Sequence, residues 1–344
     1  MVTGHNGYIG TGLVRLLQEA GHEVVGLDSY LFADCTLGPD SPDIPAVRKD
    51  LRDVEPDDIA GVEAICHLAG ISNDPVGDLD ADTTYAINHH AAARLAEIAA
   101  AVGVGRFVFS SSCSIYGASP GAFVTEGSEI NPVTPYGFSK IYAEGDIRAL
   151  ASLSFSPTCL RSATAYGYSP RVRADLVVNN LVGFAVTEGR VLMKSDGSPW
   201  RPLVHIEDIS RAFVAAVEAP REQIHDQVLN VGSSEENYQI RDVADIVQHV
   251  VPGSEIVLSE TAGPDIRDYR VDCSKIEEVL PAFATQWTVR RGAEQLHEAF
   301  VNYGIGTDAF LGKLLRVKHV RSLQEAGVLG DDLRLMSSTG GARA

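Results

Sequence analysis

The 344-residue sequence is short of cysteine, has no long apolar run and carries few basic residues for its length. Its five cysteines are odd in number, widely scattered and never arranged as C-x-x-C, which argues against a disulfide framework and a zinc site. No stretch of about 18 consecutive apolar residues occurs, so we expect no transmembrane helix. The opening segment MVTGHNGYIG lacks the basic region and cleavage site of a secretory signal. Together these absences favour a reducing, cytoplasmic compartment.

Basic residues are outnumbered, since 28 Lys and Arg stand against 46 Asp and Glu and give a formal net charge of −18. Such a balance opposes binding to nucleic acid or to anionic membranes, because clustered Lys and Arg supply the affinity for phosphates. A small anionic ligand is compatible with it where local arginines and helix N-termini receive the charge. The hydrophobic content of 45% is that of an ordinary globular protein, long enough for about two domains or one large α/β domain with an added lobe.

Short β-branched runs alternate with segments of helical periodicity through the first half of the chain, which is typical of a parallel sheet with crossover helices. The first strand has almost no residues before its glycine loop, so it either begins upstream or is a stub. After residue 160 the pattern loosens, with a loop at Gly167–Ala174 and a turn-rich stretch at Ser195–Pro202. The other predicted strands are Glu23–Leu27, Val62–Leu68 and Arg106–Ser111, and the predicted helices include 83–102, Tyr136–Leu150 and Ile240–Val250.

Gly4, Gly7 and Gly10 form a G-x-x-G-x-x-G loop between the first strand and the first helix. Glycines are needed there for the tight turn, for close approach of the backbone to a pyrophosphate and for helix–strand packing. Asp28 lies 18 residues beyond Gly10 at the end of the second strand. A carboxylate there accepts from a ribose 2′-hydroxyl and repels a 2′-phosphate. The pattern predicts NAD rather than NADP, no metal, and an α/β fold with a Rossmann-type doubly wound parallel sheet and a smaller C-terminal substrate-binding lobe.

Tyr136 and Lys140 lie four residues apart and share one helical face, and Ser110–Ser112 lie at the end of a preceding strand. A nearby ammonium lowers the pKa of a phenol from about 10 towards neutrality, which makes the tyrosine a usable acid/base. The Ser112 hydroxyl can bind the same substrate oxygen. A bare Y-x-x-x-K is common in helices, but together with the glycine loop and Asp28 it becomes a specific signature.

These motifs resemble those of the extended short-chain dehydrogenase/reductases, and within them the NAD-dependent nucleotide-sugar epimerase/dehydratase group. The resemblance implies an NAD-binding domain over residues 1–165 and an interleaved, mainly substrate-binding lobe over 166–336, while the small polar residues 337–344 predict a disordered tail. It also implies a homodimer joined by a four-helix bundle of the helices at 83–102 and from Tyr136. The apolar residues that support this interface are Ala99, Ala100, Ile141, Ile147 and Leu150. The other matching segments are Thr3–Gly10, Asp50–Leu51, His67–Ala69, Asn88, Ser110–Gly117, Pro135–Lys140, Arg161, Tyr166–Gly167, Asn180–Leu181, Arg201, Val204–Asp208, Asn230–Gly232 and Asp265–Lys275.

The resemblance also implies three groups of site residues. The catalytic group comprises Ser112, Tyr136 and Lys140. The cofactor group comprises Gly4, Gly7, Tyr8, Ile9, Gly10, Asp28, Asp50, Leu51, Leu68, Ala69 and Asn88, with Tyr136 and Lys140 on the nicotinamide ribose. The substrate group comprises Asn180, Arg201, Arg267 and Tyr269, with both arginines presented to the nucleotide diphosphate of a nucleotide sugar. Thr164 departs from the family, which usually has Asn there.

The residues after Ser112 separate the reaction types of this family. Dehydratases of the 4,6 type and decarboxylases resemble one another in carrying carboxylates there, whereas this chain has Cys113 and Ser114. The simple 4-epimerases carry small neutral residues, so the sequence predicts an NAD-dependent epimerase that acts at C4 through a transient 4-keto sugar with no net redox change. A 4-ketoreductase of deoxysugars, or an epimerase acting at another carbon, stays an alternative. A non-catalytic NAD-sensing protein is a more distant one, because such proteins lose the Tyr/Lys pair.

Several other polar residues have a structural reading beside a functional one. Cys113 is one position away from the cysteine of thiol-using epimerases, so burial as a packing residue is favoured. His205 follows an apolar strand and is read as a core histidine, and His89 and His90 as facing solvent or an interface. The acidic run Asp74, Asp78, Asp80 and Asp82 is read as a helix N-terminal cap rather than a metal site. Arg171 and Arg173 are equally compatible with closing over the diphosphate and with being loop charges.

Overall fold

The computed structural model describes residues 1–41, 43–72, 80–259 and 268–336. Its centre is a seven-stranded sheet in which every neighbouring pair is parallel. In spatial order its strands are Gln227–Val231 (β11), Ser156–Ser162 (β7), Arg106–Ser112 (β5), Ala64–His67 (β4), Val2–Thr3 (β1), Gly26–Asp28 (β2) and Ala46–Arg48 (β3). This confirms the predicted doubly wound parallel sheet.

Helices cover both faces of the sheet, because alternate side chains of each strand point to opposite faces. In β5, Val108 packs into one core with the helices Gly10–Glu19 and Ile206–Glu218. Phe107 and Phe109 pack into another core with the helices Ala91–Val102 and Pro135–Ala149. The helices of the chain are α1 (Gly10–Glu19), α2 (Ala81–Tyr85), α3 (Ala91–Val102), α4 (Pro135–Ala149), α5 (Val177–Glu188), α6 (Ile206–Glu218), α7 (Arg221–Ile224), α8 (Ile240–Val250), α9 (Ser274–Val279), α10 (Val289–Asn302), α11 (Thr307–Leu311) and α12 (Arg316–Glu325). A π-helical turn, Ala86–His90, joins α2 to α3.

Smaller sheets build the second half of the chain. Their strands are β6 (Ala118–Val124) with β14 (Asp268–Val271), β8 (Thr164–Tyr166) with β10 (Trp200–His205) and β12 (Asn237–Gln239), and β9 (Arg190–Met193) with β13 (Glu255–Leu258). A separate apolar core lies here, where α5, α8 and α10 pack together. β11 belongs to the large sheet. The segment 307–336 packs Val320 and Leu329 against Ile71, which follows β4.

Two expectations from local pattern are wrong in detail. The stretch predicted as turns at Ser195–Pro202 ends in a strand, because β10 pairs with β8 and β12, which are distant in sequence. Of the residues cited for a dimer interface, Ala99 and Ile147 are fully buried within the chain, whereas Ala100, Ile141 and Leu150 are only partly buried against the core. The predicted tail over 337–344 lies outside the described residues. None of the helices in the described part of the chain is long and apolar enough to cross a membrane.

Candidate active site

A cleft of about 840 Å³ lies at the carboxyl edge of the large sheet. The chain runs from β1 to β2 and β3 on one side and then to β4, β5 and β7 on the other, so the crossovers reverse direction between β1 and β4. Ligands of doubly wound sheets bind outside such a switch point. The cleft-lining residues at or just after the strand ends, in sheet order, are Asp50, Asp28, Gly4, Leu68 and Ser112.

The glycine loop lies at the middle of this cleft and leaves no room for side chains. Gly4 has φ +71°, and a Cβ there would lie 2.8 Å from the backbone nitrogen of Ala69. A Cβ on Gly10, the first residue of α1, would overlap the carbonyl oxygen of Gly4. The backbone therefore has the close packing that a pyrophosphate-binding turn requires, and the loop fits the diphosphate of NAD.

Asp28 ends β2 and is oriented by two backbone amides. Its carboxylate accepts from the amide of Tyr30 at 2.7 Å and from that of Asn6, in the glycine loop, at 3.1 Å. Burial raises the pKa of this carboxyl, while the two amides oppose that shift. A carboxylate has about four acceptor positions, so two remain for the hydroxyls of a ribose.

Asp50 lies beyond β3, on the far side of the same cleft. It caps a short 3₁₀ turn and forms an ion pair with Arg52 at 2.7 Å. Burial acts to raise the pKa of Asp50, but the hydrogen bonds from Arg52 outweigh it and hold that pKa below its usual value. Asp28 and Asp50 thus mark the end of the cleft that fits the adenosine half of the cofactor.

The predicted catalytic pair is carried by the first two turns of α4. Thr134 caps this helix by accepting from the amide of Gly137 at 3.2 Å, and Pro135 follows as its first residue. The ammonium of Lys140 donates to the carbonyl oxygen of Ser110 at 2.8 Å and lies 5.7 Å from the centroid of the Tyr136 ring. Lys140 is buried, and burial lowers its pKa to about 8. The pair predicted from sequence therefore lies together in the cleft.

Two serine hydroxyls join this end of the cleft. Ser112 ends β5, and its Oγ accepts from the amide of Ser114 at 3.1 Å. The Oγ of Ser114 is itself buried with no hydrogen-bond partner among the residues that the structure describes, and it lines the cleft. A substrate oxygen placed beside Tyr136 would meet hydroxyl groups from this strand end.

A buried ion pair supports the catalytic strand from behind. Glu144, on the same helix as Lys140, accepts from Arg161 at 2.7 Å and from the Ser111 hydroxyl. Arg161 also donates to the hydroxyl of Tyr116 at 3.0 Å. Sequence reasoning gave Glu144 no role, and its spacing of four residues from Lys140 was the available signal.

Cys113 belongs to this supporting layer rather than to the cleft. It is fully buried, and its Sγ donates to the carbonyl oxygen of Arg161 at 3.0 Å. Burial raises the pKa of the thiol well above its ordinary value. His205 is structural in the same sense, since its Nδ1 accepts from the amide of Glu207 and its Nε2 pairs with Gln295. Both agree with the structural readings given above.

Three of the residues predicted to bind the substrate, Asn180, Arg201 and Tyr269, line the cleft. Arg201 is buried in β10 with its guanidinium 6.0 Å from the ring centroid of Tyr269. Asn180 lies near the start of α5, where its amide donates to the carbonyl of Ala174 at 2.7 Å. Arg173 lines the cleft in an ion pair with Asp175 at 2.6 Å.

The structure brings almost all described site residues together. Those that line the cleft are Gly4, Gly7, Tyr8, Ile9, Gly10, Asp28, Asp50, Leu51, Leu68, Ala69, Ser112, Tyr136, Lys140, Asn180, Arg201 and Tyr269. Asn88 does not line the cleft but lies behind Ile71, which does. Its side chain accepts from the amide of Ile71 at 2.7 Å and donates to the carbonyl oxygen of Ile71 at 2.8 Å. Arg267 lies outside the described residues, as do Asp74 and Asp78.

The remaining alternatives divide as follows. Arg171 does not line the cleft; it bonds the side chain of Asn6 at 3.0 Å and pairs with Asp40. Asp80 caps α2, as the helix-cap reading proposed. His89 pairs with Asp146 at 2.6 Å. Arg316, which lines the cleft from α12, had no motif that could have revealed it.

Comparison with known proteins assigns the family. The model described as the NAD dependent epimerase/dehydratase family matches residues 1–232. The UDP-glucose 4-epimerase of Mycolicibacterium smegmatis is 31% identical over 317 residues, covering 88% of this chain and 98% of the relative. The structure of MoeE5 with UDP-glucuronic acid and NAD has a TM-score of 0.75 and 26% identity over 88% of this chain and 98% of its own. TunA, an NAD-dependent NDP-hexosamine 5,6-dehydratase, shares the fold with a TM-score of 0.78 and 24% identity, over 88% and 97% of the two chains.

The fold and the cleft thus define an NAD-dependent enzyme of the extended short-chain dehydrogenase/reductase type. The chain belongs to the NAD dependent epimerase/dehydratase family, whose members act on nucleotide sugars. Bound NAD supplies hydride transfer to and from a sugar carbon.

Proposed function

We propose that the protein is a nucleotide-sugar 4-epimerase. Tyr136 takes the proton of the sugar 4-hydroxyl as the C4 hydride leaves, which bound NAD⁺ would accept. After the 4-keto sugar has turned over in the cleft, the hydride would return to the opposite face of C4 and Tyr136 gives the proton back to the oxygen. Ser112 holds the same oxygen, and Lys140 provides the positive charge that favours the phenolate. The sugar leaves inverted at C4, with unchanged mass and no accumulated NADH.

The observation that carries this proposal is the kind of side chain beside the reacting oxygen. The described cleft residues on this strand end are hydroxyl-bearing, while Cys113 is buried in the supporting layer. Removal of water needs a carboxyl group or an equivalent acid and base. An epimerase needs only the tyrosine, the serine and the lysine. The 31% identity to a UDP-glucose 4-epimerase supports the same choice.

We assign the nucleotide diphosphate of the substrate to the part of the cleft that carries Arg201. Arg201 and Asn180 line the cleft there, and Tyr269 lies beside Arg201. A buried guanidinium is a strong donor for phosphate oxygens, and the low dielectric of the site increases its effect. Arg267 is proposed as a second cation on the same group.

A dehydratase is the second candidate because Asp175 is a carboxylate in the cleft. Its two carboxylate oxygens each accept a hydrogen bond from Arg173, which orients the group towards that guanidinium. We therefore assign it to positioning Arg173, but an acid or base role would change the product. The two candidates differ by one water molecule in the mass of that product.

The test is incubation with a panel of UDP, GDP, CDP and dTDP sugars, with the products analysed by NMR and mass spectrometry. We expect inversion at C4 without a mass change. Loss of 18 mass units, the mass of water, would show a dehydratase. Tyr136→Phe should lower kcat by about 10²–10⁴-fold, the usual contribution of a positioned acid/base. Cys113→Ala, the matched control in the supporting layer, should retain most activity, and its inactivation would favour thiol chemistry.

We further propose that the protein is a homodimer joined through the helical segment 81–102 and α4, with an exposed aromatic patch among the contacting residues. Phe138 and Tyr142 are exposed on α4, and their rings lie 6.1 Å apart. Tyr85 continues this aromatic patch, 6.2 Å from the Tyr142 ring. Exposed aromatic residues on adjacent helical turns are typical of interface cores.

A further inference from the structure

A buried cation with an unused donor lies in the outer wall of the cleft. Arg316, the first residue of α12, is 4% exposed and lines the cleft. Its Nη2 donates to the carbonyl oxygen of Arg171 at 2.7 Å, and its guanidinium lies 4.6 Å from the ring centroid of Phe32. Its Nη1 is buried and has no hydrogen-bond partner among the residues that the structure describes. A buried charged donor is strongly destabilising when unpaired, so this position favours an acceptor from a ligand.

The surrounding charges favour an anionic ligand. Arg173 also lines this part of the cleft, and the carboxylate that faces the two arginines, Asp175, is held by Arg173 at 2.6 Å. Two guanidinium groups against one carboxylate leave a net positive charge. Cys35, the other titratable neighbour of Arg316, has a side-chain hydrogen bond with the guanidinium, but a thiol is a weak acceptor. Burial raises the pKa of this thiol, so it carries no compensating negative charge.

The position of Arg316 identifies which anion this is. Arg171, whose carbonyl accepts from Arg316, donates through its own Nε to the side chain of Asn6 in the glycine loop at 3.0 Å. Phe32, under the guanidinium, follows β2 by four residues. Arg316 therefore packs against the segment after Asp28 and is linked to the glycine loop through Arg171. A dinucleotide with its adenosine ribose on Asp28 and its nicotinamide ribose on Lys140 must pass its diphosphate through this region.

The segment that carries Arg316 is docked firmly onto the NAD-binding half. His319 bonds the carbonyl of Leu31 at 2.9 Å, and Arg52 donates to the carbonyl of Asp332 at 2.8 Å. Arg334 pairs with Asp53 across the same boundary, with a donor–acceptor distance of 3.0 Å. These contacts hold the guanidinium in place before any ligand arrives, which lowers the entropic cost of binding.

We propose that Arg316 is a cofactor-binding residue: its Nη1 donates to an oxygen of the NAD diphosphate, and residues 307–336 form the outer wall of the cofactor site. The family match ends at residue 232, so it assigns no role to this segment. The assignment holds for an epimerase and for a dehydratase, because both use the same cofactor.

The experiment measures ligand binding rather than turnover. The full-length protein, freed of bound nucleotide, is titrated calorimetrically with NAD⁺, ADP-ribose and UDP, and with adenosine by competition. Arg316→Met should weaken NAD⁺ and ADP-ribose about 10–100-fold, the effect of one charge-assisted hydrogen bond. Adenosine and UDP should bind within about twofold of wild type, because neither reports on the cofactor diphosphate.

A matched control is Arg106→Met. Arg106 also donates to backbone carbonyls, those of Ala216 and Ala219, but at the start of β5 and outside the cleft. It should leave all four affinities unchanged. Arg316→Gln is the second variant, which keeps a side-chain donor without the charge. It should weaken the binding of ADP-ribose in the same way, and it replaces the methionine variant if that variant fails to fold.

Three outcomes would overturn the assignment. Wild-type affinity for ADP-ribose in either neutral variant would show that the cation does not bind the diphosphate. Equal weakening of adenosine and ADP-ribose would show a merely structural role. Selective weakening of UDP would move the same chemistry to the diphosphate of the nucleotide sugar.

Discussion

Replacement of Lys140 by methionine tests the electrostatic basis of the proposed chemistry. The ammonium lies 5.7 Å from the centroid of the Tyr136 ring in a buried site. At an effective dielectric constant of about 20, unit charges at that separation interact by about 3 kcal/mol. Removal of the positive charge should therefore make the phenolate harder to form by about two orders of magnitude in equilibrium constant. We expect kcat/KM of Lys140→Met to fall by at least about 10²-fold at pH 7.

The pH dependence separates this effect from a loss of structure. Burial lowers the pKa of Lys140 to about 8. Activity of the wild-type protein should therefore decline as the pH rises through about 8, because the ammonium loses its proton. The variant has no such group, so its residual activity should rise with pH as the phenol itself ionises. The two profiles should converge at high pH.

The assay is the initial rate of epimerisation between pH 6 and 10, with the melting temperature recorded for each variant. Lys275→Met is the matched control, because Lys275 also donates to a strand carbonyl, that of Val228 at 2.8 Å, outside the cleft. It should keep the wild-type profile. A Lys140→Met variant whose rate declines above pH 8 like the wild type would refute the reasoning.

Three further predictions concern the cofactor, the supporting layer and assembly. Asp28→Ala should narrow the preference for NAD⁺ over NADP⁺ in calorimetric titrations, because a carboxylate beside the ribose repels a 2′-phosphate; equal affinities in the wild type would contradict this. Glu144→Gln should lower the free energy of unfolding in urea by about 3–5 kcal/mol, because it leaves the buried Arg161 without its counter-charge. A loss below about 1 kcal/mol would mean that the charge of Glu144 is not needed to stabilise Arg161. Tyr142→Glu should shift a dimer towards monomer in light scattering, whereas Leu153→Glu, at a residue 97% exposed, should not; a monomeric wild type at micromolar concentration would refute the proposed interface.

The sequence alone determined the features that depend on local spacing. The glycine loop, Asp28 at the end of β2 and the Tyr136/Lys140 pair on one helix are encoded within short segments. The alternation of short β-branched runs with segments of helical periodicity predicted the large parallel sheet for the same reason. Each of these motifs lies within one strand, loop or helix and its immediate neighbours, so its geometry follows directly from the residue pattern.

Only the tertiary structure decided which distant residues share the cleft. The burial of Ala99 and Ile147 depended on how α3 and α4 pack, which their periodicity does not reveal. The placement of Asn88 behind the wall followed from its bonds to Ile71, and β10 needed partners far away in the chain. Arg316 is the extreme case, since it reaches the cleft from α12, near the far end of the sequence. Long-range contacts of this kind depend on packing and charge in three dimensions, which no spacing between neighbouring residues records.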